Sequence, residues 1–119
     1  MINTERANQG LPPLAGNGIL GGAARSHSTD MAVNNFLGHN SSDGTTFDVR
    51  ITNAGYSYST IAENVAAGYG TPADVVAGWM GSSGHYANIM GPYTEIGVGY
   101  AYCSGSDYGS YWTTDFGSP

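Results

Sequence analysis

The apolar residues of this chain change period partway along, and that change limits the fold. Over 17–37, Ile19, Leu20, Ala23, Ala24, His27, Met31 and Phe36 share one face at helical spacing. Over 94–103 the chain alternates instead, which reads as a strand, and 104–110 is a turn. Residues 111–116 read as the antiparallel partner of that strand. Helices first and strands last imply an α+β layer fold, with helices packed on an antiparallel sheet.

Punctuation divides the first part further. Residues 2–9 read as a short helix with Ile2 and Ala7 inward, broken by Gly10-Leu11-Pro12-Pro13. Gly21-Gly22 weakens the long helix, and Gly38 is its expected terminator. A polar loop carrying His39 follows over 38–46. Thr45 with Asp48 resembles a capping box for a helix over about 46–54, closed by Gly55. Residues 60–67 fit either a strand or an irregular segment. Thr71-Pro72-Ala73-Asp74 starts a helix to about Gly81, with Val75, Val76 and Trp79 inward. Ser82 or Ser83 then caps a short helix through Met90. No repeat or linker divides the 119 residues, so one domain is expected.

Charge excludes whole classes of partner. The chain has no lysine, three arginines and a net charge of -6, so it cannot neutralise a run of phosphates or dock on anionic lipid. No apolar run is long enough to span a bilayer. Nineteen glycines and nine tyrosines, with only 10 % charged residues, suggest a rigid, loop-rich extracellular protein. The polar start Met1-Ile2-Asn3-Thr4-Glu5-Arg6 has no secretory-signal pattern. Cys103 is the lone cysteine, and it reads as a buried small apolar residue.

Three Gly- and apolar-flanked segments carry the candidate chemistry: Gly38-His39-Asn40, Ala62-Glu63-Asn64 and Gly84-His85-Tyr86. Two imidazoles and a carboxylate suit a divalent metal and can also transfer protons. Glu63 lies among Ile61, Ala62 and Val65, so it must be paired, hydrogen-bonded or protonated. It could anchor backbone donors, orient a histidine, or act as a general base. His27 lies on an apolar helix face and reads as a hydrogen-bonded core histidine. Ser82 and Ser83 lack a nucleophile-elbow motif, and the loop around Asp107 lacks an EF-hand pattern.

The ordered set of segments resembles the CAP superfamily of cysteine-rich secretory, antigen 5 and pathogenesis-related proteins. The matching pieces are Asn3-Thr4-Glu5-Arg6, Gly10 to Leu14, Ala24 to Ala32, Gly38-His39, Ala62-Glu63-Asn64, Trp79 with Ser83 to Met90, Ile96 to Tyr100, and Tyr111 to Phe116. The lack of disulfides resembles the bacterial branch. The resemblance implies a secreted, monomeric α-β-α sandwich. Its cleft would hold two histidines and two acids around zinc or another divalent ion. By motif, His39 and His85 match the histidines and Glu63 the first acid. The expected second acid is absent from Met80-Gly81-Ser82-Ser83, and Glu95 is the candidate substitute. The resemblance also leaves open a hydrolase with Glu63 as base, and a small-molecule, peptide, lipid or sterol ligand in the cleft.

Overall fold

A computed structural model describes all residues 1–119. Five helices surround one four-stranded sheet: α1 Ile2–Asn8, α2 Gly18–Asn34, α3 Phe47–Asn53, α4 Pro72–Met80 and α5 Ser83–Ile89. The strands are β1 Ala15–Gly16, β2 Thr60–Ala67, β3 Glu95–Tyr102 and β4 Ser110–Ser118, in spatial order β1-β3-β4-β2. The α+β layer fold expected from the change of period is present. The ambiguous segment 60–67 is a strand, β2, paired antiparallel with β4 along its length. The sheet is mixed rather than purely antiparallel, because the two-residue β1 joins β3 in parallel. Two residues are too short to show a period.

Helix α2 covers one face of the sheet. Gly97 and Gly99 of β3 face it, and a Cβ on either would collide with the backbone at Leu20–Gly21 or Ala24–Arg25. These glycines, with Gly21 opposite Gly97, let helix and strand approach closely. Gly21 thus serves packing rather than only weakening the helix. Ile19, expected inward, is exposed, while Leu20, Ala23, Ala24, His27 and Met31 are buried. The helix ends before Gly38, because Asn35 adopts the left-handed conformation at φ 58° and caps it.

The opposite face of the sheet packs on α1, α4 and α5. Trp79, Val75, Val76 and Ile89 meet Ala62, Ala66, Trp112 and Phe116 there. Thr71 caps α4 as expected, its hydroxyl accepting from Asp74 N–H at 3.1 Å. The capping box for α3 does not form. Its N-cap is Thr46, without a side-chain cap bond, and Thr45 N–H instead donates to Asp43 Oδ1. Ala7 points to solvent, whereas Arg6 is buried and donates to the carbonyls of Pro12, Ile89 and Gly91. Arg6 thereby ties α1 to the end of α5. Cys103 is half-buried just past β3.

Candidate functional site

The site lies at the edge of the sheet, where β2 has no strand beyond it. Successive side chains of a strand point to opposite faces. Glu63 therefore points toward α3 and Asn64 toward α5. The Glu63 side chain is fully buried, yet both its oxygens are engaged. Oε1 lies 3.0 Å from His39 Nδ1, and Oε2 accepts from the Arg50 guanidinium at 2.5 Å. Arg50 also donates to the His39 carbonyl and, through Nε, to Ser41 Oγ at 3.1 Å. One arginine from α3 thus fastens both the acid and the loop that carries the histidine.

A carboxylate facing Nδ1 makes Nδ1 the protonated nitrogen of His39, so Nε2 carries the free lone pair. The His39 side chain is 49 % exposed, so that lone pair is open to solvent. Burial pushes the Glu63 carboxyl up. The His39 bond, interaction with Asp115 and the Arg50 charge outweigh it, and Glu63 stays below its usual range and ionised.

Asp115 is the acid that sequence reasoning missed. It faces Glu63 across β2 and β4, is fully buried, and has no partner in good hydrogen-bonding geometry at either oxygen. Burial, then the neighbouring Glu63, hold its carboxyl well above the usual carboxylate range and favour its protonated form. Its signal was an acid on the inward side of an alternating strand, in Thr113-Thr114-Asp115-Phe116. Only the strand register shows that Glu63 lies opposite.

On the other side of β2, Asn64 donates to the His85 carbonyl at 3.1 Å and accepts from the Asn88 amide at 2.8 Å. Asn88 also reaches the Glu63 carbonyl at 3.3 Å. This network fixes the start of α5 against the strand that carries the acid. Burial, then the charge of His39, lower the His85 pKa, so its ring is neutral at neutral pH and within electrostatic reach of His39. A cleft of about 430 Å³ is lined by His39, Phe47, Ile61, Ala62, Glu63, Asn88 and Tyr93; His85 is not in its lining.

Glu95 does not join this group. Its Oε1 accepts from the Tyr56 hydroxyl at 2.7 Å and its Oε2 from the Asn17 amide at 3.3 Å. It ties α2's cap to the segment after α3. His27 is a buried core histidine as expected, with Nε2 2.7 Å from the Gly38 carbonyl. No three His, Cys, Asp or Glu side chains converge as a metal-holding group. Each Glu63 oxygen already holds one partner.

Comparisons with known proteins agree with this architecture. The family model of the Cysteine-rich secretory protein (CAP) family matches residues 1–116. Uncharacterized protein YkwD of Bacillus subtilis (strain 168) is 43 % identical over 118 residues, which are 98 % of this chain and 44 % of that protein. The chain thus spans less than half the length of this relative. An extracellular protein containing a SCP domain from Bacillus anthracis superposes with a TM-score of 0.88 at 28 % identity, over 99 % of this chain and 38 % of that one. An outer surface protein of Borrelia burgdorferi reaches the same TM-score of 0.88 at 23 % identity, over 98 % of this chain and 86 % of that one, and shows the fold alone.

Proposed function

The chain belongs to the cysteine-rich secretory protein (CAP) family, and from that premise we propose that residues 1–119 are one secreted, monomeric CAP domain that takes a divalent cation, zinc first, between the His39 rim of its cleft and the start of α5. His39 Nε2 and the His85 imidazole are the protein ligands, and water completes the coordination. The observation that carries this reading is the 3.0 Å contact between His39 Nδ1 and the buried Glu63 carboxylate. Metal-bound histidines commonly carry such a carboxylate on the other ring nitrogen, which fixes the tautomer and strengthens the ligand. In this reading Glu63 orients His39 and is anchored by Arg50, since each of its oxygens already holds a partner. Two imidazoles with open positions make a modest-affinity site, unlike a closed structural zinc centre. Secretion fits the extracellular Bacillus anthracis relative and the glycine- and tyrosine-rich, charge-poor composition. No helix is long and apolar enough to cross a membrane.

Zinc calorimetry at pH 7.5 and pH 5 tests this. One-to-one binding is expected at pH 7.5, lost in His39→Ala and in His85→Ala, and weakened at pH 5 as the imidazoles protonate. Equal affinity at both pH values would sink it.

Two other readings have a feature in their favour. For a hydrolase, the exposed Nε2 of His39 is a better placed proton acceptor than the enclosed Glu63. Chelator-sensitive turnover of peptide or ester substrates, lost in Glu63→Gln, would favour it. For lipid or sterol binding, an apolar cavity of about 260 Å³ lies between α1, α4 and the sheet, lined by Ile2, Val75, Val76, Trp79 and Trp112 among others. Lipid binding that survives both chelator and His39→Ala would favour that reading.

A further inference from the structure

A third cavity, about 470 Å³, opens on the far side of Arg50, between α2, the 38–46 loop and α3. Its volume lies within the range of roughly 300–1,000 Å³ common for small-molecule sites. Its walls are polar: Ser26, Asp30, Asp43, Thr45, Arg50 and Asn53 contribute to them. We propose that this cavity binds a small neutral polyhydroxylated ligand, a sugar or polyol, independently of any metal at His39.

The chemistry of the lining selects that class. Arg50 is the one cation present, and Glu63 already matches its charge at 2.5 Å. Asp30 and Asp43 therefore leave the cavity negative, and an anion would be repelled. No three metal-ligating side chains converge here, so a bare cation lacks a cage. An apolar ligand would strip water from polar walls without replacing its hydrogen bonds. A hydroxyl both donates and accepts, which suits a wall of carboxylates, hydroxyls, an amide and a guanidinium.

The walls are also held in place. Asp30 accepts from Ser42 N–H at 2.8 Å and from the Asn34 amide at 2.7 Å, and Asp43 from Thr45 N–H at 2.9 Å. Arg50 is fixed by Ser41, Glu63 and the His39 carbonyl. A ligand touching Arg50 would therefore be felt at His39 in the neighbouring cleft.

The test is a titration of metal-free, 15N-labelled protein with glucose, maltose and glycerol in turn, followed by NMR. Inorganic phosphate and calcium chloride serve as controls. Saturable shifts are expected with a neutral probe at the amides of Ser26, Asp43, Thr45 and Asn53, and on the same curve at His39. Ser26→Ala combined with Asn53→Ala changes two exposed side chains that make no hydrogen bond within the protein. It should weaken binding about tenfold, as expected for two lost hydrogen bonds. No saturable shift with any neutral probe, saturation by phosphate or calcium instead, or unchanged affinity in the double variant would overturn the proposal. Zinc binding in the cleft is read separately and does not bear on these outcomes.

Discussion

Glu63 is buried beside a second carboxyl and still ionised, because His39 and Arg50 engage it from the other side. Removing its charge leaves the enclosed Arg50 guanidinium without its anion. Glu63→Gln should cost about 3 kcal/mol of stability, measured by urea unfolding at pH 7. It should also weaken zinc binding about tenfold or more, measured by calorimetry, because His39 loses the group that sets its tautomer. Asp115 predicts the reverse sign. Its folded pKa is raised, so the folded protein holds this proton to higher pH than the unfolded chain does. That group favours folding only below the unfolded carboxylate range, and the benefit fades as pH rises. Asp115→Asn mimics the protonated form. It should stabilise the protein at pH 7.5 and change little at pH 4, read from unfolding midpoints at both.

At the scale of elements, the contact between α2 and β3 decides how thick this side of the sandwich is. Gly97 and Gly99 have helix backbone, rather than a flexible side chain, where a Cβ would go. Backbone cannot swing aside, so the elements would have to part. Gly99→Ala should cost about 3 kcal/mol or more, at the upper end of overpacking effects, seen as a lower midpoint in chemical unfolding. Gly105→Ala, where a Cβ meets nothing within 4 Å, is the control expected to stay near wild type. The sequence showed alternation through Ile96-Gly97-Val98-Gly99-Tyr100 but not what the inward positions touch. Glycine on an inward face gives no apolar signal, although its meaning here is packing. The same blind spot covers Arg6. A charged residue in the first helix reads as solvent-facing until its three carbonyl partners from Pro12, Ile89 and Gly91 come together.

For the whole molecule, acid stability should fall in two stages. Burial, then Arg50, lower the pKa of His27, and burial, then His39, lower that of His85. As pH drops below about 6.5 the unfolded chain gains protons at these rings that the folded protein resists, so stability declines through the histidine range. Glu63 adds a second decline. Its folded pKa is depressed, so its contribution is present above the unfolded value and is lost as pH falls through the folded one. Thermal unfolding from pH 8 to pH 3 should show both stages. His27→Gln should flatten the first, and Glu63→Gln the second. A midpoint flat from pH 7 to pH 5 would contradict the histidine stage.

The sequence alone determined most of the helices and the β3–β4 pair, because period and punctuation are local. Helical spacing over 17–37, the Thr71-Pro72 start and the alternation from 94 are visible without a fold. Ordered motifs likewise singled out His39, Glu63 and His85, and burial of Glu63 followed from its apolar neighbours. Only the tertiary structure decided the rest. Register across β2 and β4 set Asp115 opposite Glu63. The packing of α3 brought Arg50 to the same carboxylate. The Tyr56 and Asn17 contacts drew Glu95 away. These pairings join residues far apart in the chain, and long-range pairing leaves no periodic trace in either partner.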